Sequence, residues 1–197
     1  MKFFGLASEG APGAGQGAAV PSRSASMLYG SAAVGAVSLL AYSIWAFRLV
    51  PGAAALYATT AAVYVGLGGL VLSRLVRIPG AARRFPPFFA AVFLVYAVGW
   101  CAFWFGLRGR HHADFWGAAA GLWAMVWLFQ RAFAKPGDFL SLFAVLFTMH
   151  SLGYYLGAVL HGAWPGTTGR LLWGAAHGLG FGAGLGALLH DCQRPSA

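Results

Sequence analysis

Apolar residues fall in six runs, at 27–47, 53–72, 88–107, 115–133, 139–161 and 171–190, and the stretches between them hold nearly all of the charge. A helix of about twenty residues, rising ~1.5 Å per residue, crosses a hydrocarbon core of roughly 30 Å. The pattern therefore predicts an all-α, polytopic membrane bundle of six transmembrane helices. Its breaks carry turn chemistry: Pro51-Gly52, Pro79-Gly80, Pro136-Gly137 and Pro165-Gly166. Asp138 follows one of them and is placed to cap the fifth helix. The longest connection, 73–87, contains Arg74, Arg77, Arg83, Arg84 and Pro86-Pro87. The third run is crowded with aromatic side chains from Phe88 to Phe105, and is expected to face lipid or a lipid-like ligand. Residues 1–26, rich in Gly, Ala, Ser and Pro, are expected to be a disordered cytoplasmic tail. The transmembrane domain follows over 27–191, and 192–197 form a second short cytoplasmic tail.

The sixth run differs from the others in how little side chain it carries. Gly174, Gly178, Gly182 and Gly186 recur every four residues, and Gly180 and Gly184 form a second such pair. A helix surface without side chains lets another backbone approach closely. The fifth run repeats part of the wording: His150-x-Leu152-Gly153-Tyr154-x-x-Gly157 matches His177-x-Leu179-Gly180-Phe181-x-x-Gly184. In adjacent, oppositely directed helices these would form an inverted pair. The expectation is a glycine zipper between the last two helices, with Gly153, Gly157, Gly174, Gly178, Gly180, Gly182, Gly184 and Gly186 as the packing positions.

Composition agrees with a membrane protein, since 59% of the 197 residues are hydrophobic, 9% are charged and mean hydropathy is +0.69. The formal charge of +9 would point to nucleic acid in a soluble chain. Here the cations sit in tails, connections and run ends, which is a topology signal, and no nucleic-acid partner is expected. With both termini inside, nine Lys and Arg lie on the cytoplasmic side and four (Arg48, Arg108, Arg110, Arg170) on the other. This predicts an N-in/C-in orientation, and the Ala, Gly and Arg bias fits a bacterial inner membrane. Cys101 and Cys192 fall toward opposite sides on this topology, so no disulfide between them is expected. Without CxxC or CxxCH, zinc-ribbon, thioredoxin-like and c-type haem chemistry are excluded.

The ionisable groups deep in the membrane are histidines. Asp114, Asp138 and Asp191 lie at run ends and Glu9 in the tail, so paired-carboxylate chemistry finds no support. His150 and His161, eleven residues apart, share a helix face with Gly153 and Gly157. His177 shares one with Gly180 and Gly184, whereas His190 is turned away beside Asp191. In an antiparallel hairpin His150 and His177 differ in depth by ~7 Å, close enough for a direct or water-bridged contact. The first expectation is that both imidazoles hydrogen-bond across the hairpin, to each other, to Thr148 or Ser151, or to a carbonyl. The second makes His150 and His177 the ligands of haem b, or His150, His177 and His161 those of a transition metal.

Ala176-His177-x-x-Gly180-x-x-x-Gly184 resembles the last core helix of the rhomboid intramembrane proteases, whose core also has six spans. In that family the histidine partners a serine on the fourth span. This chain has Gly117-Ala118-Ala119-Ala120-Gly121 there, with alanine at the nucleophile's place. The second span also lacks the family's His-x-x-x-Asn, so the resemblance implies a non-proteolytic relative. The expected function is non-enzymatic: a scaffold, accessory subunit or carrier resting in lipid, with a membrane-protein partner or a second copy of itself. A haem- or metal-binding redox protein and a small-solute or proton transporter are the alternatives.

Overall fold

Backbone hydrogen bonds have no water to compete for them inside a bilayer, so long apolar runs close them internally as helices. The computed structural model describes residue 6, residues 21–134 and residues 138–194. Among the described residues six long helices occupy the predicted runs: α1 Arg23–Ala46, α2 Ala53–Leu72, α3 Ala81–Gly106, α4 Ala113–Ala132, α5 Phe139–Ala163 and α6 Thr167–Cys192. Five helices (α1, α2, α3, α5 and α6) are long and apolar enough to cross a membrane, which marks a multi-pass membrane protein. In α4 the apolar content is diluted by Asp114, Gln130 and Arg131.

Three boundaries depart from expectation. Helix α1 starts at Arg23, inside the stretch read as tail, because the Ser22 side chain accepts a hydrogen bond from the Ala25 N–H at 3.1 Å. Of the remaining tail, only Leu6, Pro21 and Ser22 belong to the described residues. Helix α3 begins at Ala81 and takes in Pro86 and Pro87, so the long connection shrinks to a 3-10 turn, Ser73–Leu75, and five further residues. Pro86 and Pro87 stand in the second turn, where each forfeits the bond to the carbonyl four residues back, and Pro86 seats against Gly69 of α2, where a side chain would not fit. Asp138 does occupy the position before α5, but it adopts a left-handed conformation (φ 42°) and its side chain makes no capping bond. Its carbonyl instead accepts from the Leu142 N–H at 3.1 Å.

Helix α6 is the centre of the packing: 56% of its apolar stretch is buried, against 22–33% in the other four apolar spans. Its glycines divide between two neighbours. Gly174, Gly178, Gly182 and Gly186 abut Tyr42, Ser38, Gly30 and Ser26 of α1, whereas Gly180 and Gly184 abut Gly153 and Leu146 of α5. The four-residue stripe expected to face α5 thus packs on α1. The reason lies in α1, where Ser26, Gly30, Val34 and Ser38 make a complementary small stripe at the same spacing. Both junctions are antiparallel.

Further out, α4 backs onto α3 through Gly117 and Gly121, which lie against Trp100 and Tyr96. Near the end that carries Arg23 and Asp191, Phe85, Phe88, Phe89 and Phe129 form a buried aromatic core. The aromatic third run therefore faces inward over much of its length; the large apolar residues of its exposed side are Leu94, Val95, Val98, Phe103 and Phe105. Both ends of α6 are tied down. Arg23 Nε donates to Asp191 Oδ2 at 3.0 Å, and Gln193 Nε2 donates to the Leu75 carbonyl at 2.9 Å while its Oε1 accepts from the Arg77 N–H at 2.7 Å. At the far end Arg170 donates to the Ala46 carbonyl at 3.3 Å and lies over the Trp45 ring, 5.0 Å from its centroid. The described ends of the chain are therefore on one side of the bundle.

Candidate functional site

The α5–α6 junction is built from the repeated sequence, and its contacts are reciprocal. Gly153 and Gly180, equivalent in the repeat, lie backbone to backbone. A side chain at Gly153 would meet the Ala176 carbonyl and one at Gly180 the Met149 carbonyl, each four residues before the facing glycine. Gly157 abuts Trp173 and Gly184 abuts Leu146, each seven residues before it. The inverted repeat is a local two-fold, and its axis passes between Gly153 and Gly180.

This symmetry arranges four rings. Within α5, His150 stacks on Tyr154 (centroids 6.2 Å apart, planes at 7°); within α6, His177 stacks on Phe181 (5.8 Å, 10°). Residues four apart on a helix are neighbours, which is why each pair stacks. Across the junction each imidazole meets the other helix's ring on edge: His150 with Phe181 at 5.3 Å and 88°, His177 with Tyr154 at 6.2 Å and 82°. The imidazoles themselves are 5.1 Å apart at 87°. The predicted depth offset of the two histidines is thus bridged, and their rings touch.

The hydrogen bonding departs from expectation. His150, only 1% exposed, pairs through Nε2 with the Tyr96 hydroxyl of α3 at 2.9 Å. The two histidines do not bond to each other, because an edge-to-face contact aims neither ring's lone pair at the other's N–H. His177 has no hydrogen bond at either nitrogen. Tyr64 of α2 stacks on it (6.4 Å, 12°), and the Tyr64 hydroxyl, His150 Nδ1, both His177 nitrogens and Trp173 Nε1 are all buried without a partner. Burying such groups unpaired costs about 1–3 kcal/mol each, and native proteins rarely leave them so. Five in one neighbourhood, from imidazole, phenol and indole, make a neutral centre with both donors and acceptors to offer.

The other predicted residues lie elsewhere. His161 packs against Trp45 (6.3 Å) and Trp173 (5.4 Å), away from the His150–His177 contact. His190 is buried beside Asp191, its Nδ1 2.9 Å from Oδ1, as part of the clamp on Arg23. Among the described residues no group of three or more His, Cys, Asp or Glu is placed to hold a metal ion. A haem between His150 and His177 does not fit either. Two axial bonds of about 2 Å put the imidazole centres roughly 6 Å apart across the porphyrin plane, whereas here they are 5.1 Å apart and edge to face. The alanines at 118–120 lie between Gly117 and Gly121, which face α3.

Sequence alone reads Tyr96 as one of the third run's aromatics and Trp173 as an interfacial ring, and does not mark Tyr64. Their signal was a hydroxyl or indole N–H inside an apolar run, which is also what an interfacial aromatic residue looks like. Only the convergence of α2 and α3 on the two histidines, and the burial of Trp173 Nε1, tells the cases apart. No protein-family model, curated protein or solved structure matches this chain.

Proposed function

We propose that this is a non-enzymatic carrier of six transmembrane spans, N-in/C-in in a bacterial inner membrane, that takes a small, uncharged, hydrogen-bonding solute at the His150–His177 centre. Five buried polar atoms without partners around two touching imidazoles carry this reading. A charged solute would find no counter-charge among imidazole, phenol and indole, whereas a small neutral molecule with donors and acceptors can satisfy several of them at once. Two features support the sixth span: α4 runs antiparallel to α3, and the described chain ends share one side of the bundle. The glycine contacts of α6 with α1 and α5 act as a double zipper that keeps the centre's walls rigid.

The test is flux into proteoliposomes of water, glycerol, urea and ammonia, followed by light scattering or an internal pH dye. Wild-type protein is expected to speed at least one of these solutes over empty vesicles, and His177→Phe to abolish that gain while keeping the fold. Flux no faster than through empty vesicles, or equal flux in His177→Phe, overturns the carrier.

A further inference from the structure

The end of the bundle opposite the described chain ends holds a separate pocket. It has a volume of ≈ 390 Å³ and is lined by Trp45 and Arg48 from the end of α1, the turn Val50 to Gly52, Ala53, Leu56 and Tyr57 of α2, and Arg170 of α6. Two of its lining residues are arginines and none is acidic. Arg170 is held in place by its bond to the Ala46 carbonyl and by the Trp45 face, which together use only part of a guanidinium's five donors. Arg48 is exposed and stands in a left-handed turn (φ 52°).

The floor adds to the positive field. Helix α2 begins here without a side-chain cap and without an acidic residue in its first turn. Its first N–H groups are therefore free of intrahelical partners, at the positive end of a twenty-residue helix dipole. Two guanidiniums and an uncapped helix start around one cavity match the oxygens of a phosphate. Beside them the surface is apolar: Phe47, Leu49 and Tyr57 are 57%, 65% and 61% exposed. A phosphate attached to acyl chains can use both surfaces, the head group between Arg48 and Arg170 and the chains along Leu49 and Tyr57.

We propose that this pocket binds a phosphate group, carried by an anionic membrane lipid whose head group sits between Arg48 and Arg170. The site is independent of the histidine centre and of any solute that passes there.

The full chain in uncharged detergent would be titrated with phosphatidylglycerol, with diacylglycerol and with inorganic phosphate, reading thermal stability and, by native mass spectrometry, retained lipid. Phosphatidylglycerol is expected to bind and stabilise, with affinity about tenfold weaker in Arg48→Gln, the loss of one charge-assisted contact. Arg170→Lys, which keeps the charge but loses the fork, is expected to weaken it as well. Because Arg48 makes no side-chain contact to another helix among the described bonds, that variant tests the site even if changes at Arg170 unfold the protein. Stabilisation by inorganic phosphate alone, lost in Arg48→Gln, keeps the phosphate site but overturns lipid as its source. Equal binding of diacylglycerol, or phosphatidylglycerol affinity unchanged in Arg48→Gln, overturns the site itself.

Discussion

Helix α6 has two glycine-rich faces that do different things. Toward α1 the contact is close and satisfied: Gly178, Gly182 and Gly186 meet a stripe of small residues, Gly174 meets Tyr42, and Ser38, fully buried, donates its hydroxyl to the Gly174 carbonyl at 2.6 Å. Ties at both ends, Arg23 to Asp191 and Arg170 to Ala46, close the pair. Toward α5 the same close approach occurs at Gly153 and Gly180, yet the rings beside it leave buried nitrogens unpaired. One face uses backbone proximity to hold the bundle together. The other uses it to set two imidazoles against each other, and it retains unmet hydrogen-bonding capacity that a purely structural contact would lose little by replacing.

The sharpest way to break this contrast is to add a methyl group to the α1 face. Gly182→Ala drives a Cβ into the Gly30 backbone and is expected to lower stability by about 3 kcal/mol, the upper part of the overpacking range, in unfolding titrations in micelles. Gly66→Ala, with open space around it, serves as the unaffected control. If the two variants unfold alike, the α1–α6 face does not hold the bundle. Next in size is His177→Phe, which replaces two unpartnered nitrogens by carbon and should raise the melting temperature by the equivalent of about 1 kcal/mol while removing solute flux. A loss of stability there would make the α5–α6 face as structural as the other.

Similar in size and opposite in sign, Tyr96→Phe leaves His150 Nε2 without its 2.9 Å partner and should cost about 1 kcal/mol in the same titration, the low end for an orphaned buried group. Smallest is Arg23→Gln, since the ion pair it breaks has side chains 41% and 18% exposed. About 0.5 kcal/mol, fading as salt is raised, is the expectation. A salt-independent loss above that of Tyr96→Phe would show that the end clamp, rather than the glycine stripe, carries the α1 face.

Much of this contrast was already legible along the chain. Spacing put His177, Gly180 and Gly184 on one side of a helix and Gly174, Gly178, Gly182 and Gly186 on another, and the repeat around His150 and His177 marked the pair that touches. Less legible was which neighbour takes which stripe. The small residues Ser26, Gly30, Val34 and Ser38 form as regular a series as the glycines they meet, but hydropathy weights serine and valine differently and hides the match. The α3 boundary was obscured by Pro86-Pro87, which reads as a break unless Gly69 is known to receive it.

By itself the sequence determined the all-α membrane class, the number and order of long helices, and the histidine-bearing pair, because run length and local periodicity are properties of neighbouring residues. Tertiary structure alone decided that α6 lies between α1 and α5, that Tyr96 and not Ser151 or Thr148 bonds His150, and that Tyr64 stacks on His177. Those contacts join positions up to more than a hundred residues apart. Helix periodicity gives the direction in which a side chain points, but which helix stands there depends on how all six bury their surfaces at once.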